Sequence, residues 1–235
     1  MEPALERLLG EDPMGRLFAS AREASRPFTD HLAQEYPHVA RAINEARESH
    51  TKLNFSTEAH LRLSASTLRV TYEELQGYLE LSRSLNDALD ARRKEVVQYN
   101  LLRRSGNSLL QHSPVIKIND SRMPRNEVRP YIVFWSAGWC FWCKLVIPTF
   151  ARLSRFFDKC PLFFCADEEL RQAQGIRFIP QLVMYLPDGS QVGSDCGETA
   201  QELWDHLNLL TTLGQRFQGS GMLVCDEQGC RIDST

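Results

Sequence analysis

Cys140 and Cys143 are separated by Phe141 and Trp142 and follow the wholly apolar run Tyr131-Ile-Val-Phe-Trp135. Such a run reads as a central strand buried on both faces. Downstream, Val146, Phe150, Leu153 and Phe157 recur at three- to four-residue spacing, which predicts a helix that begins at the cysteines. A thiol at that junction meets unpaired helix N–H groups and the positive end of the helix dipole, both of which favour a thiolate. Cys140 is therefore the expected nucleophile. Cys143, one turn further in, is the thiol expected to attack a mixed disulfide and release the reduced substrate. Half of a zinc site and a pair of inert structural cysteines are the other readings of the same spacing. Zinc needs a second pair of ligands, but Cys225 and Cys230 have the wrong spacing and the six histidines are scattered. Dithiol–disulfide exchange is thus favoured, with no metal ion and no cofactor expected.

All seven cysteines lie between Cys140 and Cys230, an odd and clustered set that argues against a secreted disulfide framework. Cys160 and Cys165 flank the turn into the apolar run ending at Cys165 and read as small buried hydrophobes. Cys225 and Cys230 face each other across a four-residue loop. A hairpin disulfide is possible there, although a reducing compartment opposes it. Phe141 and Trp142 either form an aromatic platform for a protein partner beside the sulfur or pack onto a neighbouring helix.

The elements that must position the cysteines are an alternation of strands and helices. Val115–Ile118, Tyr131–Trp135, Pro161–Cys165, Gln181–Leu186 and Ser190–Cys196 read as strands, with Pro187-Asp188-Gly189 as a hairpin turn. Lys144–Phe157, Glu168–Gln174 and Thr199–Leu210 read as helices. The implied class is α/β, a sheet flanked by helices. Ahead of it, the first hundred residues read as helix almost throughout. Asp12-Pro13 starts one helix that Pro27 should end, and Tyr36-Pro37 interrupts the next. Leu61, Leu68, Leu75, Leu89 and Val96 fall at multiples of seven, so one long helix is expected, stopped at Gly106. Its stripe forms either an intramolecular bundle core or a coiled coil or docking surface for a partner or a second copy. The expected division is a helical arm at 1–107, the α/β domain at 108–214, and a tail at 215–235 that adds an edge hairpin.

The run Ile132-Val-Phe-Trp-Ser-Ala-Gly-Trp-Cys-Phe-Trp-Cys-Lys144 and the later Gly175-Ile-Arg-Phe-Ile-Pro180 together resemble the thioredoxin superfamily. The active-site stretch is most similar to tryparedoxin and nucleoredoxin and to thioredoxin-like proteins with Trp before the second cysteine. The resemblance implies that Pro180 is cis and sits against the active-site disulfide. It also implies that Ile179 offers backbone hydrogen bonds to a substrate, and that Trp139 and Gly197 border the same groove, with Cys196 beside it as a secondary redox site or a buried thiol. The superfamily's buried Asp falls on Phe134 here, so proton transfer at Cys143 calls for water or another group.

The chain is 43% hydrophobic and 24% charged, ordinary for a globular protein, and its formal net charge of -3 gives no field for nucleic acid. The acidic start, Met1-Glu2-Pro3, lacks the pattern of a secretory signal, and no apolar window is long enough to span a membrane. An intracellular, cytoplasmic location follows as an expectation. The expected function is a protein dithiol–disulfide oxidoreductase acting on protein disulfides, its arm docking a partner. The alternative is an adaptor subunit whose cysteine pair is vestigial or regulatory.

Overall fold

The computed structural model describes residues 2–49, 51–118, 123–124, 129–158, 160–216, 221–226 and 229–234, the last two stretches as backbone. The chain divides into two compact units, Met1–Phe18 with Asn100–Thr235, and Ala19–Tyr99. No helix among the described residues is long and apolar enough to cross a membrane.

Helix dominates as far as Gln111, as α1 (Pro3–Glu11), α2 (Pro13–Glu35), α3 (Pro37–Glu48), α4 (Glu58–Leu68), α5 (Tyr72–Val96) and α6 (Tyr99–Gln111). Pro37 opens α3 as expected, but Pro27 lies inside α2 and does not end it. Proline removes one backbone bond, the one to the Glu23 carbonyl four residues back, and α2 continues through that loss. The single long helix expected through Leu61–Val96 is two helices. Arg69 turns left-handed (φ 56°) at the end of α4, and Thr71 caps α5 in a reciprocal capping box with Glu74. Leu68 and Leu75 still share one core with Val39, Ile43, Ala46 and Ala65, and Leu61 packs against it. Val96, at the far end of the heptad series, is exposed. Within this same unit Arg93 donates to the Ser25 hydroxyl at 2.7 Å, tying α5 to α2.

Gly106 does not stop a helix either. It is buried in the middle of α6, where a Cβ would stand 3.1 Å from Cγ2 of Ile147. The glycine is there for a close helix approach rather than as a C-cap.

Beyond α6 the strands β1 (Ile116–Lys117), β2 (Tyr131–Trp135), β3 (Leu162–Cys165), β4 (Gln181–Tyr185) and β5 (Gln191–Asp195) form one sheet in the order β1-β3-β2-β4-β5. The three strands β1, β3 and β2 run parallel, and β4 and β5 are antiparallel to their neighbours. All five residues of β2 are buried, which accounts for its uninterrupted apolar sequence. On one face Tyr131, Val133, Trp135, Phe163, Cys165, Val183 and Tyr185 pack with Leu170 and Ile176. On the other, Phe134 stacks on Phe150 of α7 (Phe141–Leu153) at 4.8 Å and on Phe164 at 5.8 Å. The helix α8 (Glu168–Ala173) follows β3, and α9 (Ala200–Arg216) lies against β2, β4 and β5. The expected α/β class is what the fold shows, a sheet flanked by helices after a helical N-terminal region.

The tail strands β6 (Gly221–Asp226) and β7 (Gly229–Ser234) pair with each other as a separate two-stranded sheet, with Cys225 opposite Cys230. They do not join the edge of the main sheet. The hairpin disulfide considered for Cys225 and Cys230 concerns side chains outside the described residues.

Candidate active site

The end of β2 delivers the chain into Ser136-Ala137-Gly138-Trp139 and then into the first turn of α7. Cys140 is the N-cap of that helix. Its Sγ accepts the Cys143 N–H at 3.1 Å, and its own N–H donates to the Ala137 carbonyl at 3.2 Å. Cys140 and Cys143 are joined as a disulfide, with Cα atoms 5.4 Å apart. The helix places Cys140 outermost of the pair, at 4% exposure against 0% for Cys143. Ala137, Cys140 and Cys143 form a small apolar cluster against which Trp142 and Ile179 pack. The Ile179–Pro180 peptide is cis.

The fold brings Cys140, Cys143, Trp142 and Ile179 together and separates the aromatics into two classes. Phe141 is buried, and Trp142 is half-buried, stacking on Phe18 at 5.3 Å and standing edge-on to Phe141 at 5.2 Å. Trp142 thus packs on α2 through Phe18. The open aromatics are Trp139, 71% exposed, and Phe178, 78% exposed, the latter two residues before Pro180. Phe178 was not singled out from sequence, although it occupies a variable position of the Gly-Ile-x-x-Ile-Pro segment. Gly197 has a left-handed backbone (φ 62°), a conformation glycine adopts without penalty. Since Gln181 pairs with Asp195, the chain leaves the sheet toward Gly197 at the end where Ile179–Pro180 enters it.

Charge at the site comes from a cation. Lys144 is buried, and its Nζ donates to the Ala137 carbonyl at 3.4 Å, the same carbonyl that accepts the Cys140 N–H. Burial pushes the Lys144 ammonium below its ordinary pKa, and the positive charge of Arg103 on α6 adds to that. A lysine in this place sets a positive charge beneath the loop that carries Cys140. The superfamily's acid has no counterpart here, because Phe134 fills its place within an aromatic stack. Cys165 and Cys196 are buried free thiols raised in pKa chiefly by desolvation, Cys196 well above the ordinary 9.0. A thiol so held is a poor nucleophile, so the secondary redox role considered for Cys196 has no geometric support.

No protein-family model matches the chain. Among curated proteins, "Thioredoxin-like 3-3" of Arabidopsis thaliana is 32% identical over 84 residues, which are 35% of this chain and 66% of that protein. "Thioredoxin" of Borreliella burgdorferi is 28% identical over 90 residues, 35% of this chain and 77% of that protein. The chain carries a thioredoxin-superfamily domain. It spans just under two thirds of the length of the Arabidopsis relative. Among solved structures, the J-Trx1 fragment of ERdj5 is 12% identical, covers 82% of this chain and 92% of its own, and superposes with a TM-score of 0.39, too distant to carry an argument. The thioredoxin-like domain accounts for the cysteine motif, the cis proline and the sheet order. It leaves Phe178 and the Phe18–Trp142 stack as features of this chain.

Proposed function

We propose that the protein is a dithiol–disulfide oxidoreductase for protein substrates, working through Cys140 and Cys143. The observation that carries this reading is the Cys140–Cys143 disulfide at the cap of α7, beside the exposed Trp139 and packed against Ile179, in a chain similar to thioredoxins. In the reductive direction the Cys140 thiolate attacks a substrate disulfide, forming a mixed disulfide and expelling one substrate thiolate. The Cys143 thiol, once deprotonated, attacks Cys140 Sγ, which forms the Cys140–Cys143 bond and releases the second substrate thiolate. An external thiol or dithiol then returns two electrons. Helix N–H donation to Cys140 Sγ and the nearby Lys144 charge both favour the thiolate that starts the cycle. Trp139, Ile179, Pro180 and Gly197 border the substrate groove in this reading, and the separate unit Ala19–Tyr99 docks a protein partner or a second copy.

A second reading has two observations in its favour. Cys140 is only 4% exposed and the neighbouring Trp142 is already covered by Phe18, as suits an adaptor whose pair is regulatory. Insulin reduction separates the two. With dithiothreitol as donor, the wild-type protein should accelerate precipitation of the insulin B chain, and Cys140→Ser should abolish the acceleration. Equal inactivity of both proteins would sink the oxidoreductase reading and leave the adaptor.

A further inference from the structure

Arg171 is the most interior charged group near the groove that the thiol chemistry does not use. Its side chain is 12% exposed and its guanidinium is shared between two elements. Nε donates to Glu168 Oε2 at 3.3 Å and Nη2 donates to Glu168 Oε1, while Nη1 donates to the Ile176 carbonyl at 2.6 Å. Gln172 adds a third hold on Glu168 at 3.1 Å. The Glu168 carboxyl is drawn below its ordinary pKa by Arg171 first and Gln172 next, and the Trp139 indole N–H contributes as well. One side of the fork thus holds Glu168, the first residue of α8. The other holds the backbone two residues before Phe178 and three before Ile179.

A guanidinium is suited to such a bridge because its donors diverge in one plane and can bond a carboxylate and a carbonyl together. We infer that Arg171 is a positioning residue of the substrate groove, holding the loop Ile176–Pro180 against the start of α8. Phe178, next to Ile179 on the held loop, is thereby one apolar wall of the groove, and the exposed Trp139 next to Cys140 is the other. The substrate that fits is an extended protein segment with a large apolar side chain next to its target cysteine. Affinity for such a segment is greater when the walls are held in place beforehand, since ordering them on binding costs free energy. This inference rests on the oxidoreductase reading.

The test compares insulin with a small disulfide, 5,5′-dithiobis(2-nitrobenzoate), which reaches Cys140 without needing the walls. Arg171→Ala should raise KM for insulin about tenfold, the scale of a lost charge-assisted hydrogen bond, with kcat and the small-disulfide rate changed less than about twofold. Phe178→Ala should do the same, and the double variant should be no worse than Phe178→Ala alone, because Arg171 acts through that loop. Arg171→Lys, a single point charge that cannot span both acceptors, should keep most of the defect, and it serves if the alanine variant fails to fold. Equal loss on insulin and the small disulfide, additive losses in the double variant, or an unchanged insulin KM would each overturn the positioning role. Inactive wild-type protein would instead remove the oxidoreductase reading beneath it.

Discussion

In α7, eleven of thirteen residues are buried, and the helix is held between Phe134 of the sheet and α9. In α5, twenty-five residues long, Leu75 is the buried one. The unit Ala19–Tyr99 instead secures its helices by caps and by exposed pairs such as Arg62–Glu58 at 2.8 Å and Arg92–Glu95 at 2.9 Å. Exposed pairs of this kind contribute only about 0.3–0.5 kcal/mol each. The helix that carries the cysteines is therefore fixed by packing, as a site that must hold two sulfurs at bonding distance requires. The helical unit is fixed by its termini and one thin aliphatic core, which suits a module whose outer faces remain available.

Truncation in the two cores tests that contrast most severely. Phe134→Ala removes the middle ring of the Phe150–Phe134–Phe164 stack and should lower stability by about 3–5 kcal/mol. Leu75→Ala, at 0% exposure in the helical core, should cost about 2–4 kcal/mol, since the sparser surroundings can relax into the space. Urea denaturation of both variants measures the difference. A Leu75→Ala loss equal to or larger than that of Phe134→Ala would break the comparison.

What could be read in advance follows the same division. The cysteine pair, the buried strands and the hairpin turn announce themselves locally, through spacing and through the change of period from helix to strand. The helical breaks do not, because Leu61, Leu68 and Leu75 keep their heptad spacing straight across the interruption at Arg69. The signal was present in Thr71-Tyr-Glu-Glu74, a capping box, but periodicity outweighed it. Gly106 reads as a stop because glycine ends helices more often than it makes room for them. Phe18 against Trp142 and Arg171 on the Ile176 carbonyl are matters of tertiary approach, and nothing in the local pattern of either residue announces them.

A smaller effect distinguishes the sheet unit by pH. Burial pushes the Cys160 thiol from 9.0 to about 11, with the Thr211 hydroxyl and the Ile132 backbone N–H opposing part of the shift. The native state then keeps a proton that the unfolded chain loses above pH 9, so stability falls with rising pH between about 9 and 11. The loss over that window should be on the order of 1–3 kcal/mol. Cys160→Ala should lessen this alkaline slope, leaving the part due to Cys165 and Cys196 and the shape of the profile below pH 9 unchanged. Urea midpoints taken from pH 8 to 11 would show it, and an unaltered slope in the variant would assign the alkaline loss to other groups.

The smallest expected effect bears on the helical unit alone. The Thr71 hydroxyl accepts the Glu74 N–H at 3.1 Å, and the Glu74 carboxylate accepts the Thr71 N–H at 2.9 Å. Thr71→Ala removes the first bond and should cost about 1 kcal/mol, within the usual range for a lost N-cap. The change also probes why the helix breaks at all, since the heptad spacing would support a continuous helix from Glu58 to Val96. If the cap sets the boundary, the variant loses stability and gains no helix, because Arg69 still turns left-handed and the Val70 N–H still donates to the Ala65 carbonyl at 3.1 Å. If heptad packing dominates, freeing Thr71 lets α4 and α5 fuse. The far-ultraviolet circular dichroism then deepens at 222 nm with stability unchanged. That second outcome would make the stripe, rather than the caps, the organising feature of this unit, and would erase half of the contrast with α7.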